Sequence, residues 1–253
     1  IHACDIKPSK AGEVELIADS FHTDWHEMVR QFQPDIIAIV TPADTHCMLA
    51  LSILDHCHTL FIEKPIGLSE DEAVAIIAKT QEVGGRLLVG HILRFHEAIR
   101  QAMEQISAGT IGELQRIEFN RLTTRPPPDY PNIFEAMAIH GIDTACYCFG
   151  ELEPSRLTVE NVTLDDNLNP TNASISIEFP GMKEALVDVG WAGKQENRQI
   201  NYFGSKGKIS VETGQTAKVM VSSGEEVREL VINQAPLPLL REWQFLYDIH
   251  SSD

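Results

Sequence analysis

Hydrophobic positions follow two different periods in the two parts of this chain. Over the first ninety residues, short apolar runs such as 36–40 alternate with stretches of helical spacing such as 70–83. This alternation predicts βαβ units around a parallel sheet. The run 36–40 is apolar at every position, which predicts a strand covered on both faces. Ser69 and Glu72 have the spacing of a capping box and predict the start of the following helix.

Beyond residue 113 the apolar period changes to two. Ile175, Ile177 and Phe179 alternate with polar residues, which is typical of a half-buried strand in an antiparallel sheet. A helix is predicted over 95–108, between the two patterns. The fold class is therefore predicted as α/β: a Rossmann-type parallel-sheet domain over residues 1–92, then an α+β domain with a large, mainly antiparallel sheet over 93–253.

Both ends of the chain predict an incomplete domain. Residues 1–5 have the pattern of the interior and end of a strand, and no G-x-G-x-x-G turn occurs anywhere. We therefore expect an N-terminal βα unit, with its phosphate-binding turn, to precede Ile1. The helical pattern over 239–250 stops without a cap, so the second domain is expected to be truncated at its C-terminal end.

Charge and cysteine content limit the classes of partner. Thirty-seven acidic residues against twenty basic ones give a net charge of −17, which argues against nucleic acid as the main partner. A local cationic cluster is still compatible with an anionic substrate. No apolar run approaches the ~18 residues of a membrane span, so no membrane partner is expected. Five cysteines, an odd number without repeated spacing, favour a cytoplasmic protein. No zinc-finger spacing is present, and no metal is predicted.

The most specific motif ends in Glu63-Lys64-Pro65. Thr41-Pro42 follows the apolar run, His46 comes next, and a predicted helix leads to a strand that ends in this tripeptide. A lysine there would lie in the crevice where open α/β sheets bind ligands. This composite order resembles the Gfo/Idh/MocA family of NAD(P)-dependent sugar and polyol oxidoreductases.

The resemblance implies hydride transfer between NAD and a secondary alcohol of a sugar, polyol or sugar nucleotide. It implies that Lys64 binds and polarises the reacting oxygen, because the hydroxyl proton must be handled as hydride leaves. It also implies a cis peptide bond before Pro65. Without this context, Lys64 would be interpreted as a solvated surface lysine.

Cofactor contacts are expected at the strand ends. Asp5 would accept hydrogen bonds from the adenosine ribose and repel a 2′-phosphate, which favours NAD over NADP. Its alternative role is to cap the turn at 7–9, and Lys7 and Lys10 keep NADP open as a less favoured cofactor.

Four more cofactor contacts are expected beside Lys64. Glu63 belongs to the tripeptide motif, and Thr41, Pro42 and His46 follow the strand where the nicotinamide ribose would lie. The alternative for these last three is a helix start capped by residue 44 or 45, with His46 packed in its first turn.

His140 is the candidate proton acceptor or donor. It lies in a predicted helix, 135–143, that resembles the family pattern D-x-x-x-H-D-I-D. Ala136 stands where the family has its aspartate, Gly141 replaces the next acid, and Glu135 points about 100° away around the helix. The family's usual substrate choice is therefore not expected to carry over. The alternative for His140 is a structural helical histidine.

Two arginines are candidates for substrate binding. The segment 90–96 resembles the family's G-H-x-x-R-F-N, and with the proline-rich loop 125–128 it most resembles the sugar-nucleotide 3-dehydrogenase branch. Arg94 or Arg125 would then bind a diphosphate or carboxylate through two parallel hydrogen bonds. The alternative for each is a salt bridge or a surface position.

Other functions and an assembly state are also open. The alanine at 136 is compatible with a non-catalytic cofactor-binding sensor, and an NAD-dependent relative that cleaves glycosides is a further alternative. The sheet predicted beyond residue 155 has an open face, which is often covered by a partner, so a homo-oligomer is expected.

Overall fold

The computed structural model describes residues 1–14, 17–128, 132–214, 217–232 and 237–252. The chain forms two compact units, one made of Ile1–Gly90 with Leu246–Asp253 and one made of His91–Phe245. The boundary predicted from the sequence lies two residues later, and the predicted second domain includes the C-terminal segment. The final division falls within the last helix, α7 (Pro238–Ser251).

The first unit contains two small parallel sheets, as the alternation of patterns predicted. Its strands pair as β1 (His2–Cys4) with β2 (Ser20–His22), and as β3 (Ile37–Ile39), β4 (Thr59–Glu63) and β5 (Arg86–Gly90) in that order. Its helices are α1 (Ala11–Val14), α2 (Trp25–Phe32), α3 (His46–Ile53) and α4 (Glu70–Glu82). Short 3-10 turns at Pro8–Lys10 and Ala43–Thr45 precede α1 and α3.

The central strand β4 carries the core of this unit. Leu60 and Ile62 are fully buried, because β4 has a neighbour on each side and α3 and α4 pack nearby. Strand β3 alternates instead: Ile37 and Ile39 are buried, whereas Ala38 is exposed. The prediction of a strand covered on both faces was therefore wrong for β3.

The predicted cap of α4 is present in a shifted form. The Ser69 hydroxyl accepts a hydrogen bond from the Glu72 backbone N–H at 3.2 Å. The Glu72 carboxylate accepts from the Leu68 N–H at 2.6 Å, one residue before the position that a standard capping box uses. The first bond satisfies one of the N–H groups that a helix start leaves without partners, and the second holds the residue before the cap.

The second unit is built on one eight-stranded sheet, in the order β13-β12-β11-β10-β6-β9-β8-β7. Its strands are β6 (Leu114–Leu122), β7 (Arg156–Leu164), β8 (Pro170–Phe179), β9 (Lys183–Gly190), β10 (Asn197–Gly204), β11 (Gly207–Glu212), β12 (Lys218–Ser223) and β13 (Glu226–Leu230). The β6–β9 pair is parallel and the other neighbouring pairs in this order are antiparallel. This confirms the predicted mainly antiparallel sheet.

Two helices pack against this sheet, and both begin differently from the prediction. α5 (Glu97–Ser107) begins two residues after the predicted start at residue 95. A 3-10 turn at Ile92–Phe95 precedes it, and the extended backbone of His96 separates the turn from the helix. α6 (Ile139–Cys148) is preceded by a π-helical turn at Phe134–Ala138, where a regular helix was expected. Within the described part of the chain, no helix is long and apolar enough to cross a bilayer.

Gly141 shows why α6 departs from the family pattern at that position. A Cβ atom there would lie 2.6 Å from Val187 Cγ1 and 2.8 Å from Phe119 Cδ1. These neighbours belong to β9 and β6, so glycine lets the helix backbone approach the sheet closely. An acidic side chain at this position would require the helix or these two side chains to shift.

Candidate functional site

The carboxyl ends of β3, β4 and β5 share one edge of the parallel sheet. Thr41 and Pro42 follow β3, and Lys64 and Pro65 follow β4. In open α/β sheets this is the edge where ligands bind. Five of the six predicted cofactor residues therefore lie at this edge of the sheet: Thr41, Pro42, His46, Glu63 and Lys64.

His46 links the two turns. Its side chain is buried, with the residue only 1% exposed. Nδ1 lies 2.8 Å from the Pro65 carbonyl oxygen, and Nε2 lies 2.8 Å from the Thr41 carbonyl oxygen. His46 is thus packed in the first turn of α3, which is the alternative role predicted for it. Thr45 at the helix start makes no capping bond, and its hydroxyl donates to the Pro42 carbonyl at 2.7 Å.

The Glu63-Lys64-Pro65 turn has a defined local geometry. The Lys64–Pro65 peptide bond is cis, which confirms the expectation drawn from the resemblance. The Lys64 backbone N–H donates to the Glu63 carboxylate at 3.1 Å, and both residues are half-buried. Gly90 pairs with Glu63 in the sheet, and a Cβ atom there would lie 3.0 Å from the Glu63 carboxylate. Glycine therefore leaves room for the carboxylate.

Asp5 follows β1 and has one oxygen engaged locally. Its Oδ1 accepts a hydrogen bond from the Lys7 N–H at 2.8 Å, which is the turn cap named as its alternative role. Within the described residues, its second oxygen has no hydrogen-bond partner. The carboxylate can therefore cap the turn and still accept from a ribose hydroxyl.

In the second unit, His140 lines a cavity of about 210 Å³ together with His96, Asn120, Arg121 and Arg198. His140 is 6% exposed and belongs to α6, so the helix holds the imidazole at the cavity wall. Of these five residues, only His140 was predicted as a site residue from the sequence.

His96 is the second imidazole of this cavity. Burial lowers its pKa below the ordinary value, and the nearby Glu97 carboxylate opposes that shift. The neutral ring is therefore favoured. Its Nδ1 is buried and has no hydrogen-bond partner among the residues that the structure describes. The only sequence signal for His96 was its position, because the family pattern has asparagine there.

A smaller cavity of about 80 Å³ lies beside the first and shares Arg121 and Arg198 with it. Arg125, Trp191 and Ala136 also line this smaller cavity. The position where the family has an aspartate therefore faces the same space as three arginines.

Sheet register explains why two of these arginines meet. Arg121 on β6 is directly opposite Arg198 on β10. Because side chains alternate along a strand, Arg121 continues the row of Ile117 and Phe119, both of which are buried. Burial lowers the pKa of Arg121, and the cations of Arg198 and Arg125 lower it further, while Glu196 opposes them. A guanidinium nevertheless stays charged at any practical pH.

Glu196 forms an ion pair with Arg198 of this cluster. Hydrogen bonds from the Thr124 N–H at 2.8 Å and the Thr123 hydroxyl at 2.7 Å stabilise its charged form. Together with the Thr124 hydroxyl and Arg198, whose Nε lies 3.4 Å away, they lower the pKa of Glu196 to about 2.

Arg94 is occupied by carboxylates of its own unit. Its Nη2 lies 2.7 Å from Asp143 Oδ1, and its Nη1 lies 2.8 Å from Glu151 Oε1. Burial alone would lower its pKa, but Asp143 and then Glu151 raise it above the ordinary value. The salt-bridge alternative therefore describes Arg94, whereas Arg125 lines a cavity.

Sequence reasoning missed Arg121 and Arg198 because neither belongs to a motif. The available signal was a break in strand alternation: Ile117 and Phe119 are apolar, and the next residue of that row is charged. A charge at the end of a buried row marks a position where the core meets a cavity. No group of three or more His, Cys, Asp or Glu residues that could hold a metal occurs within the described ranges.

Two family descriptions match the chain. Residues 1–91 match an oxidoreductase family with an NAD-binding Rossmann fold, and residues 99–210 match the GFO/IDH/MocA C-terminal domain. Among curated proteins, an inositol 2-dehydrogenase of Rhizobium meliloti (strain 1021) is 27% identical over 202 residues, which cover 76% of this chain and 61% of that enzyme. The chain thus spans less than two thirds of this relative.

Solved structures share the fold. An oxidoreductase from Agrobacterium radiobacter, in complex with NAD+, L-tartaric acid and magnesium, has a TM-score of 0.80 at 19% identity, over 98% of this chain and 78% of that one. A 3-ketoreductase from Actinomadura kijaniata, in complex with NADP and TDP-benzene, has a TM-score of 0.85 at 15% identity, over 99% of this chain and 82% of that one.

Proposed function

Because the chain belongs to the Gfo/Idh/MocA family of NAD-binding oxidoreductases, we propose that it transfers a hydride between nicotinamide and a secondary alcohol of a sugar, polyol or sugar nucleotide. The observation that carries the proposal is the turn at Lys64 and Pro65, which the buried His46 connects to the turn after β3. Two parallel strands thus end in one connected pair of turns at the ligand-binding edge of the sheet.

The residues of the first unit fit a dinucleotide. Asp5 at the end of β1 has an oxygen available for a ribose hydroxyl, and its negative charge disfavours a 2′-phosphate. NAD is therefore the proposed cofactor, and NADP is less favoured. Thr41, Pro42 and Glu63 would contact the nicotinamide half, and His46 would act through them because its ring nitrogens face backbone carbonyls.

Lys64 and His140 are the proposed catalytic residues. NAD, when bound, would supply the acceptor for the hydride that leaves the carbinol carbon. The Lys64 ammonium would hydrogen-bond the alcohol oxygen and stabilise the negative charge that develops as the carbonyl forms. The His140 imidazole would accept the hydroxyl proton on oxidation and return it on reduction, since imidazole exchanges protons near neutral pH.

Assembly and location are part of the same proposal. Strand β7 forms one edge of the large sheet, and Leu157, Val159, Val162 and Leu164 on it are exposed. An exposed apolar edge strand favours pairing with a second copy, so a homo-oligomer is proposed. All five cysteines are free thiols, which is compatible with a reducing cytoplasm.

The test is a substrate panel of inositols, aldoses and UDP-sugars with NAD, followed by absorbance of the reduced nicotinamide. Lys64→Met should lower kcat by about 100-fold or more on any accepted substrate, because a positioned acid–base or oxyanion group contributes that much. Lys79→Met is the matched control, because Lys79 pairs with Asp55 and Glu82 on the surface of α4. Turnover that is equal in the two variants would disprove the role of Lys64.

Two other outcomes would identify the alternative functions. A protein that binds NAD but reduces it with no member of the panel, before or after Ala136→Asp, would be a sensor. Release of a sugar from a glycoside without net formation of NADH would identify a glycoside-cleaving enzyme, because hydride transfer would then be transient.

A further inference from the structure

The wall of the smaller cavity is cationic. Arg121, Arg125 and Arg198 line it, and Arg121 and Arg198 also line the larger cavity that contains His140. We propose that these three arginines form an anion subsite, which binds a carboxylate or phosphate group carried by the substrate. The proposal rests on the function proposed above and narrows its substrate class to acidic sugars or sugar phosphates.

Within the part of the chain that the structure describes, carboxylates balance only part of the positive charge of this subsite. Glu196 pairs with Arg198, and within the described residues no carboxylate lies within ion-pair distance of Arg121 or Arg125. The chain as a whole carries a net charge of −17, so a general excess of basic residues does not explain the cluster. Two like charges directly opposite across antiparallel strands are destabilising, and a bound anion would remove that cost.

Ala136 supplies the space for the anion. The resemblance assigns an aspartate to this position, and such a side chain would place a carboxylate against the three arginines. Alanine removes that internal counter-ion and leaves a cavity of about 80 Å³ with cationic walls. With aspartate at position 136 the protein would itself neutralise part of the positive charge of this wall. With alanine there, the wall can bind an external anion.

The shared arginines orient the substrate. A guanidinium donates two parallel N–H bonds to a carboxylate or phosphate. An anion held in the smaller cavity by Arg121 and Arg198 leaves the rest of the sugar in the larger cavity, beside His140. The subsite would thus select which hydroxyl faces the imidazole.

The test compares sugars that differ only in an anionic group, by calorimetric titration without nicotinamide cofactor, whose own phosphates would compete. Galacturonate against galactose tests a carboxylate, and glucose 6-phosphate against glucose tests a phosphate. At least one acid should bind about 10-fold or more tightly than its neutral counterpart, because hydrogen bonds to charged groups contribute that much. Arg121→Gln should abolish this preference.

Arg116→Gln is the matched control, because Arg116 lies on the same strand and pairs with Glu118 and Glu184. It should keep the preference, which separates a local subsite from the overall charge. Ala136→Asp should abolish the preference without removing any arginine, so the result does not depend on one variant folding. Equal binding of acids and neutral sugars, or equal weakening by both arginine variants, would overturn the subsite.

The outcomes also separate this proposal from the proposed function. A preference for acids that depends on Arg121, in a protein that forms NADH with no substrate, would keep the subsite and reject hydride transfer. Formation of NADH with neutral sugars, without any preference for acids, would reject the subsite alone.

Discussion

Two arginine regions of the second unit differ in how their charge is balanced. Arg94 contacts Asp143 and Glu151, and its guanidinium also lies 5.2 Å from the centre of the Tyr147 ring. Arg121 faces Arg198 across two strands and borders two cavities. The pKa shifts run in opposite directions, up for Arg94 and down for Arg121.

This difference separates Arg94, whose partners belong to the chain, from Arg121, which we propose is available to a ligand. The chain supplies both carboxylates that pair with Arg94. These ion pairs connect the 3-10 turn of Arg94 to α6 through Asp143 and to the following loop through Glu151. At Arg121 the described residues supply a second and a third cation and one opposing carboxylate, Glu196, and we propose that an external anion completes the balance. Both residues are arginines near a predicted site, and only their neighbours distinguish the two roles.

The largest expected effect on stability comes from breaking the paired region. Arg94→Met should lower the free energy of unfolding by about 2–3 kcal/mol, because it leaves a buried carboxylate without its main partner. The Asp143 side chain is 9% exposed, and among its described ion-pair partners it would keep only His91, whose Nδ1 lies 3.5 Å away. Urea denaturation measures the change. Arg100→Met, which removes the pairs of the exposed Arg100 with Glu97 and Glu104, should cost less than about 1 kcal/mol, because Glu97 keeps its pair with Arg241. Equal losses of unfolding free energy in the two variants would show that the pairing of Arg94 contributes no more than an exposed ion pair.

The unpaired region should respond in the opposite direction. Arg121→Met is expected to leave the free energy of unfolding unchanged or to raise it by up to about 1 kcal/mol, because it removes a partly buried cation that faces another cation. The same denaturation experiment checks this, with Arg94→Met as the comparison. A loss of stability as large as that of Arg94→Met would show that Arg121 has a structural role.

The smallest expected effect is a pH-dependent change in stability when Glu196, the carboxylate beside Arg198, is replaced. The folded-state pKa of Glu196 is about 2, below its ordinary value of 4.5. A depressed carboxyl pKa adds stability above the ordinary value, and that stability is lost as pH falls towards the folded-state value. Glu196→Gln should therefore be less stable than wild type at pH 7, and the difference should shrink between pH 4.5 and 2. Thermal unfolding at several pH values measures it; a difference independent of pH would contradict the assignment.

Much of the fold could be predicted from the sequence because its signals are local. The period of apolar residues indicated the parallel strands before residue 90 and the antiparallel ones after 155, and Ser69 marked the start of α4. The exposed Ala38 in β3 and the π-helical turn before α6 were not predicted, because neighbouring elements rather than local propensity decide them.

The sequence by itself determined the family resemblance, the two kinds of sheet and the candidates Lys64 and His140. Motif order and apolar periodicity depend only on the order of residues along the chain. Only the tertiary structure decided that Arg94 is neutralised, that His46 ties two turns together, and that Arg121 meets Arg198. Those contacts join residues from 5 to 77 positions apart. Their pairing depends on strand register and helix packing, which no local pattern contains.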